Sequence, residues 1–278
     1  MPGAALHLPH PGWHARLELG FETRDVGATA RTVLAHRRRV GPLSVQRTFH
    51  PEGEVCHVYL LHPPGGVVGG DRLDIDVQVD SGHALLTTPG ATKFYRSAGE
   101  YAEQRQHLRV ADGACLEWLP QETILFADAL LHAQTRIDLS GNARLAAWEI
   151  QCFGRPTNAE TFANGRADFR FEIWRDGTPM LLERLRVQPD TLNRGALLAG
   201  QPVTGVFVLS HADAETELAA REAMPTSGFG VTRVDDLLIL RYLGDSTEQA
   251  QRGFRVLWQA LRPHTLNRPA CVPRIWAT

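Results

Sequence analysis

Apolar and polar positions alternate along most of the first two hundred residues. Leu73-Asp74-Ile75-Asp76-Val77-Gln78-Val79 alternates strictly, which puts its apolar side chains on one face of an extended strand. Ala133, Thr135, Ile137 and Leu139 repeat the pattern against Gln134, Arg136 and Asp138. Phe169, Phe171 and Ile173 repeat it against Arg170 and Glu172. Val55 to Leu61 and Val203 to Leu209 are more continuously apolar and predict strands buried on both faces. Turn signals separate these runs at Pro51-Glu52-Gly53, Asp80-Ser81-Gly82, Asp112-Gly113, Ser140-Gly141-Asn142 and Asp176-Gly177. Many short strands at fairly regular spacing predict a layered, mainly β body. A closed barrel, a sandwich and a wound stack of sheets all satisfy the pattern.

The last seventy residues change period. Asp213 to Met224 is rich in Ala and Glu and predicts a helix with Asp213 near its N-cap. Val231 to Val234 and Leu237 to Tyr242 predict a strand pair. Ser246 with Gln249 resembles a capping box, after which Ala250, Phe254, Leu257 and Leu261 recur at helical spacing and Pro263 predicts the stop. No repeat, low-complexity tract or linker divides the chain. The expected organisation is one domain over 1–278, with a β-rich body over 15–210 and an α/β part over 211–278.

Composition narrows the class. A chain of 278 residues, 43% hydrophobic and 22% charged, has material for a sizeable core. The near balance of 29 basic and 31 acidic side chains argues against a nucleic-acid binder, which needs a basic face. Arg37-Arg38-Arg39 is the one dense basic run and reads as solvated surface. Cys56, Cys115, Cys152 and Cys271 form no CxxC pair, so they fit neither a zinc knuckle nor a disulfide framework and read as reduced thiols. Met1 to His14 lacks the apolar run of a signal peptide, and no stretch approaches the ~20 apolar residues of a membrane span. A cytoplasmic location is the resulting expectation.

Several segments carry candidate chemistry. His62-Pro63-Pro64-Gly65-Gly66-Val67-Val68-Gly69-Gly70-Asp71 frees the backbone for close approach. A phosphate cradle needs GxxxxGK[ST] before a helix, and a strand follows here instead, so a tight turn or a partner contact is the better reading. Thr87 to Ser97 mixes small, basic and aromatic residues in a segment that reads as a loop. No GxSxG elbow is present, although a triad assembled in space leaves no local mark. Cys56 and His57 are adjacent on a strand, so their side chains take opposite faces. His7, His10 and His14 form a loose cluster at the N-terminus, with weak divalent binding set against simple fraying. Glu149 and Glu183 each interrupt an apolar run, which is costly unless the charge is paired or wet. Glu183 has Arg184 and Arg186 beside it, and Glu149 has no adjacent basic partner. A water-filled interior would satisfy such groups and attract cations; an ion pair or a surface position is the alternative.

Gly41-Pro42-Leu43-Ser44-Val45-Gln46-Arg47, the run from Cys56 through Asp71, and Thr88 through Ser97 resemble the urease accessory protein UreD (UreH) family. So do Glu117 to Glu122, Gly154-Arg155-Pro156 and Pro273-Arg274-Ile275-Trp276, in the family's order across nearly the whole chain. Thr48 and His50 stand where members often have proline and tyrosine. The resemblance implies a mainly β, barrel-like or helically wound body with a few helices, which agrees with the two C-terminal helices read from the periodicity. It implies no catalysis, no permanently bound cofactor, and a transient Ni2+ passed onward during assembly of the nickel centre of urease. It implies binding to apo-urease and UreF, and to UreG through UreF. On that expectation Glu149 and Glu183 are the first candidates for the nickel path, followed by Asp71 and His57, since nickel accepts oxygen and imidazole donors. Gly65, Gly66, Gly69, Gly70, Lys93, Tyr95, Arg96 and Trp258 are the candidate partner contacts. A purely structural adaptor and a hydrolase remain the rival classes.

Overall fold

The computed structural model describes residues 12–27 and 29–277. In chain order, β1 (His14–Val26) and β2 (Thr29–Val40) pair antiparallel, and β3 (Ser44–Val45) pairs with β4 (Cys56–Leu61). Then follow β5 (Arg72–Val79), β6 (His83–Thr87), β7 (Thr92–Phe94), β8 (Ala102–Val110), β9 (Cys115–Leu119), β10 (Thr123–Leu125), β11 (Leu130–Leu139) and β12 (Arg144–Arg155). The remaining strands are β13 (Glu160–Thr161), β14 (Arg166–Arg175), β15 (Thr178–Val187), β16 (Val203–Leu209), β17 (Phe229–Val234) and β18 (Leu237–Gly244). Helix α1 (Ala214–Ala223) precedes β17, and α2 (Thr247–Leu266) follows β18.

The strands build two open sheets. One runs β15-β14-β11-β8-β5-β1-β2, the other β17-β18-β16-β12-β9-β6-β4-β3. From β5 to β14 the chain alternates between them, so β5, β8, β11 and β14 lie parallel in one sheet and β4, β6, β9 and β12 parallel in the other. This is a wound coil, and no pairing among the described residues closes either sheet into a barrel. Arg72, Glu103, His132 and Asp168 stand side by side on successive turns, at unequal steps along the sequence. Unequal steps explain why no repeat is visible in the residues.

The alternating runs put one face of each strand into the space between the sheets. Leu17, Leu19, Ile75, Val77, Leu108, Ile137 and Ile173 meet Val58, Leu86, Leu116, Leu145 and Val208 there. Strands β4, β6, β9 and β12 are apolar on both faces because their other face carries a second core under α2, built from Trp148, Phe207, Leu240, Phe254, Leu257 and Trp258. Full burial of such side chains is worth about 1.5–3 kcal/mol each. The outer face of the first sheet carries instead a lattice of charges, including Arg16 to Glu18 at 2.8 Å and Arg136 to Asp138 at 2.8 Å. No helix among the described residues is long and apolar enough to cross a membrane.

Three local expectations are corrected. The helix does not stop at Pro263 but runs to Leu266, because Thr265 and Leu266 are buried and Arg144 bonds the Thr265 carbonyl. Ser246 caps α2 through Gln249 N–H at 3.2 Å, but the Gln249 side chain bonds Ser227 and Tyr242 rather than closing a capping box. Thr92–Phe94 is a short strand paired to β10, not loop. Asp213 caps α1 as expected, accepting from Thr216 N–H at 2.8 Å.

Candidate functional site

Parity along β12 sends Leu145, Ala147 and Phe153 into the space between the sheets, and Glu149 with them. Facing it across the gap are Gln106 on β8 and Thr135 on β11, which are register neighbours. The Thr135 hydroxyl hydrogen-bonds a Glu149 oxygen and also stands 2.8 Å from Gln106 Oε1; Gln151 Nε2 donates to Glu149 Oε2 at 3.0 Å. Among the described residues no cation pairs with Glu149. Burial therefore pushes its carboxyl up to about 7, and the charge of Glu183 adds to the rise, while the Thr135 hydrogen bond opposes it.

Two cavities meet at this carboxylate. The first, about 220 Å³, is walled by Leu60, Ile75, Gln104, Gln106, Trp118 and Thr135 and opens beside His62, Gly65 and Thr88 to Lys93. Its wall holds two buried polar atoms without a protein partner, Trp118 Nε1 and Gln104 Oε1. An orphan donor and an orphan acceptor in one cavity of that size give water two groups to bond there. The second cavity, about 420 Å³, is walled by Gln151, Phe169, Phe171, Val206 and Leu243 and reaches Glu183 and Arg241. Glu149 and Phe169 belong to both linings.

Register explains how the second cavity ends. Along one sheet Thr135, Phe171 and Glu183 stand in a row; along the other, Glu149, Val206 and Arg241. The rows face each other, so a polar layer (Thr135 with Glu149) is followed by an apolar layer (Phe171 and Val206) and then by the Glu183–Arg241 ion pair. Glu183 thus pairs across the gap, not with its neighbours; Arg184 and Arg186 both bind Asp168. Sequence reasoning missed Arg241, although Leu237-Leu238-Ile239-Leu240-Arg241 carries the signal that flagged Glu149, a charge in an apolar run. Gln104, Gln106 and Trp118 gave no such signal, since their aim depends on which turn of the coil they face.

The other two path candidates lie elsewhere. His57 takes the opposite face from Cys56, as strand alternation requires, and is buried under α2 with its Nε2 2.7 Å from Glu52. Asp71 accepts backbone N–H groups of Trp13 at 2.8 Å and Val68 at 3.0 Å, fastening a turn. Neither lines either of these two cavities. Among the described residues no group of three or more His, Cys, Asp and Glu is placed to hold a metal ion. His14 pairs with Asp74 at 2.6 Å; His7 and His10 lie outside the described residues.

The partner candidates divide. Gly66 is required where it stands, because a Cβ there would fall 2.0 Å from the Tyr95 ring, and Gly70 has φ +89°. The glycine segment is stitched to β7 by Val67 N–H to Lys93 O and Tyr95 N–H to Val67 O, both 2.8 Å. Gly69 abuts Ser97, Gly65 is exposed at the first cavity mouth, and Lys93, Tyr95 and Arg96 are exposed nearby. Trp258 is different. It is fully buried and donates to Glu117 at 2.6 Å, so it belongs to the core and offers no surface to a partner. It lies four residues after Phe254 and three before Leu261, within the buried stripe of α2.

A family model described as UreD urease accessory protein matches residues 14–277. The chain is 48% identical to a urease accessory protein UreD of Alcanivorax borkumensis over 97% of this chain and 94% of that protein. It is 46% identical to one of Citrobacter koseri, over 96% and 92% of the two chains. It is 43% identical to one of Klebsiella pneumoniae over the full length of both. With a family model covering nearly every residue and relatives this similar end to end, the chain belongs to the UreD family of urease accessory proteins.

Proposed function

We propose that this chain serves urease maturation by conducting a nickel ion through the space between its sheets, from a UreF-linked donor that includes UreG to apo-urease. The supporting observation is Glu149, a buried carboxylate without a cation, shared by two cavities. An ionised carboxylate in such a place is destabilised until a cation arrives, and oxygen donors without thiolates hold nickel loosely enough to release it. The four cysteines stand apart from this route; the thiols of Cys56 and Cys152 are pushed up to about 12 by burial and stay protonated. The exposed segment around Lys93, Tyr95 and Arg96 at the first mouth is the proposed docking surface for UreF or urease, with no catalytic step assigned to this chain.

The apolar layer of Phe171 and Val206 favours a second reading, in which the chain is a structural adaptor and nickel travels elsewhere. The two separate on one experiment. Glu149→Ala with Glu183→Ala, co-expressed with urease and the other accessory proteins, is expected to preserve UreF binding while lowering urease activity and its nickel content severalfold. Full activation by the double variant would leave the adaptor reading.

A further inference from the structure

Resting on that passage reading, we infer that Arg241 and Glu183 form a charge gate at one end of the passage, with Arg241 the residue that holds a cation back. The geometry is specific. Strand β15 is the last strand of its sheet, so the Glu183–Arg241 pair stands where the space between the sheets ends. The Glu149–Val206–Arg241 row places the guanidinium two strands from the buried carboxylate, on the same face. Between them lie only the apolar side chains of Phe171 and Val206 along the two rows.

Two features oppose a cation at this mouth. The apolar layer offers no ligand to replace the ion's water, as hydrophobic constrictions in pores do. The guanidinium then repels it, and within several ångströms that repulsion is large against thermal energy even in a partly wet site. The Glu183 carboxylate offsets this only while it is free to face the ion. In the structure it is held by both Arg241 nitrogens, one of them at 3.2 Å.

The pair is a latch rather than a lock. The Arg241 side chain is 54% exposed and that of Glu183 23%. Half-exposed pairs contribute little net stability, so the guanidinium swings into solvent at small cost. When it does, Glu183 becomes a free carboxylate at the end of the route, which turns the mouth from repelling to attracting. Among the described residues that line the second cavity the one other basic residue is Arg184, and its guanidinium is occupied with Asp168, as is that of Arg186.

Charge removal at the two positions therefore acts in opposite directions, whereas for a purely structural ion pair both removals act alike. The full chain is incubated with Ni2+, desalted, and mixed with a chromophoric chelator, and the release rate is read by absorbance. Arg241→Gln is expected to release the ion about ten-fold faster, a small part of the effect of a unit charge near a divalent ion's path. Glu183→Gln, which leaves the guanidinium unpaired, is expected to release it no faster than the parent chain. Equal rates in all three, or acceleration by both variants, overturn the gate while leaving the passage standing. Glu149→Gln is the control for the passage: if it retains as much nickel as the parent, or the parent retains none, the passage itself fails and the gate with it.

Discussion

Glu149 meets a fixed cost whenever it ionises, and that cost is readable as a pH dependence. Its folded value of about 7 lies above the ordinary 4.5, so the folded protein keeps a proton that the unfolded chain gives up between those limits. For an acid shifted upward, the contribution to stability is fully present below about 4.5 and drains as the pH rises through 7. The loss is on the order of 1 kcal/mol per pH unit inside that window. Glu149→Gln removes the ionisation while keeping the shape. Calorimetry is expected to show the variant more stable than the parent at pH 8 and the two converging near pH 5. A parent that gains on the variant as the pH rises would mean that the carboxylate has a cationic partner. The sequence marked Glu149 correctly as a charge without a neighbour to pair with. It did not reveal Thr135 and Gln106, because polar residues at apolar positions of a strand have no meaning until the opposite sheet is in place.

At the scale of elements, packing overrides propensity in α2. Gly253 lies inside the helix, where alanine is the better helix former by ~1 kcal/mol. A Cβ at this position, however, falls 2.1 Å from the Phe229 ring of β17, so the ring or the helix must shift. Overpacking of that kind costs about 1–3 kcal/mol and outweighs the propensity gain. Gly253→Ala is expected to lower the urea midpoint, and Gly253→Ala with Phe229→Leu to recover part of it. A higher midpoint for the single variant would show that β17 yields freely. Periodicity gave both helices and their N-caps, since those depend on neighbours in the chain. It misplaced the end of α2, since the residues that carry the helix past Pro263 are held by Arg144, far away in sequence.

For the molecule as a whole, the helical layer is fastened to the sheets by a buried ion cluster. Arg262 of α2 binds Glu117 of β9 at 2.8 Å and Glu52 at 2.6 Å, while His83 of β6 stands 2.7 Å from Glu117. Burial alone would raise the Glu117 carboxyl; the His83 hydrogen bond and the Arg262 guanidinium instead hold it down at about 2. Glu117→Gln and Arg262→Met are each expected to cost about 3–5 kcal/mol in denaturant unfolding, because each deprives a buried charge of one of its two partners. The double variant is expected to cost less than their sum; additive losses would show that the two residues act separately. None of this cluster was legible beforehand, since its members are spread from Glu52 to Arg262 and share no local pattern. The β character of the body was legible in the alternation, and a wound body was one of the forms the family resemblance implied; alternation alone did not choose it, as it says nothing about which sheet the next strand joins.

The unequal steps between Arg72, Glu103, His132 and Asp168 have an evolutionary consequence. Segment length between turns of the coil is a free variable: residues inserted or deleted in a connection leave every inward-pointing side chain where it was. A single residue gained or lost inside a strand does the reverse and exchanges that strand's lumen and solvent faces beyond that point. Lineages of this fold are thus free to remodel the rims that other proteins touch while the lining of the interior stays in frame.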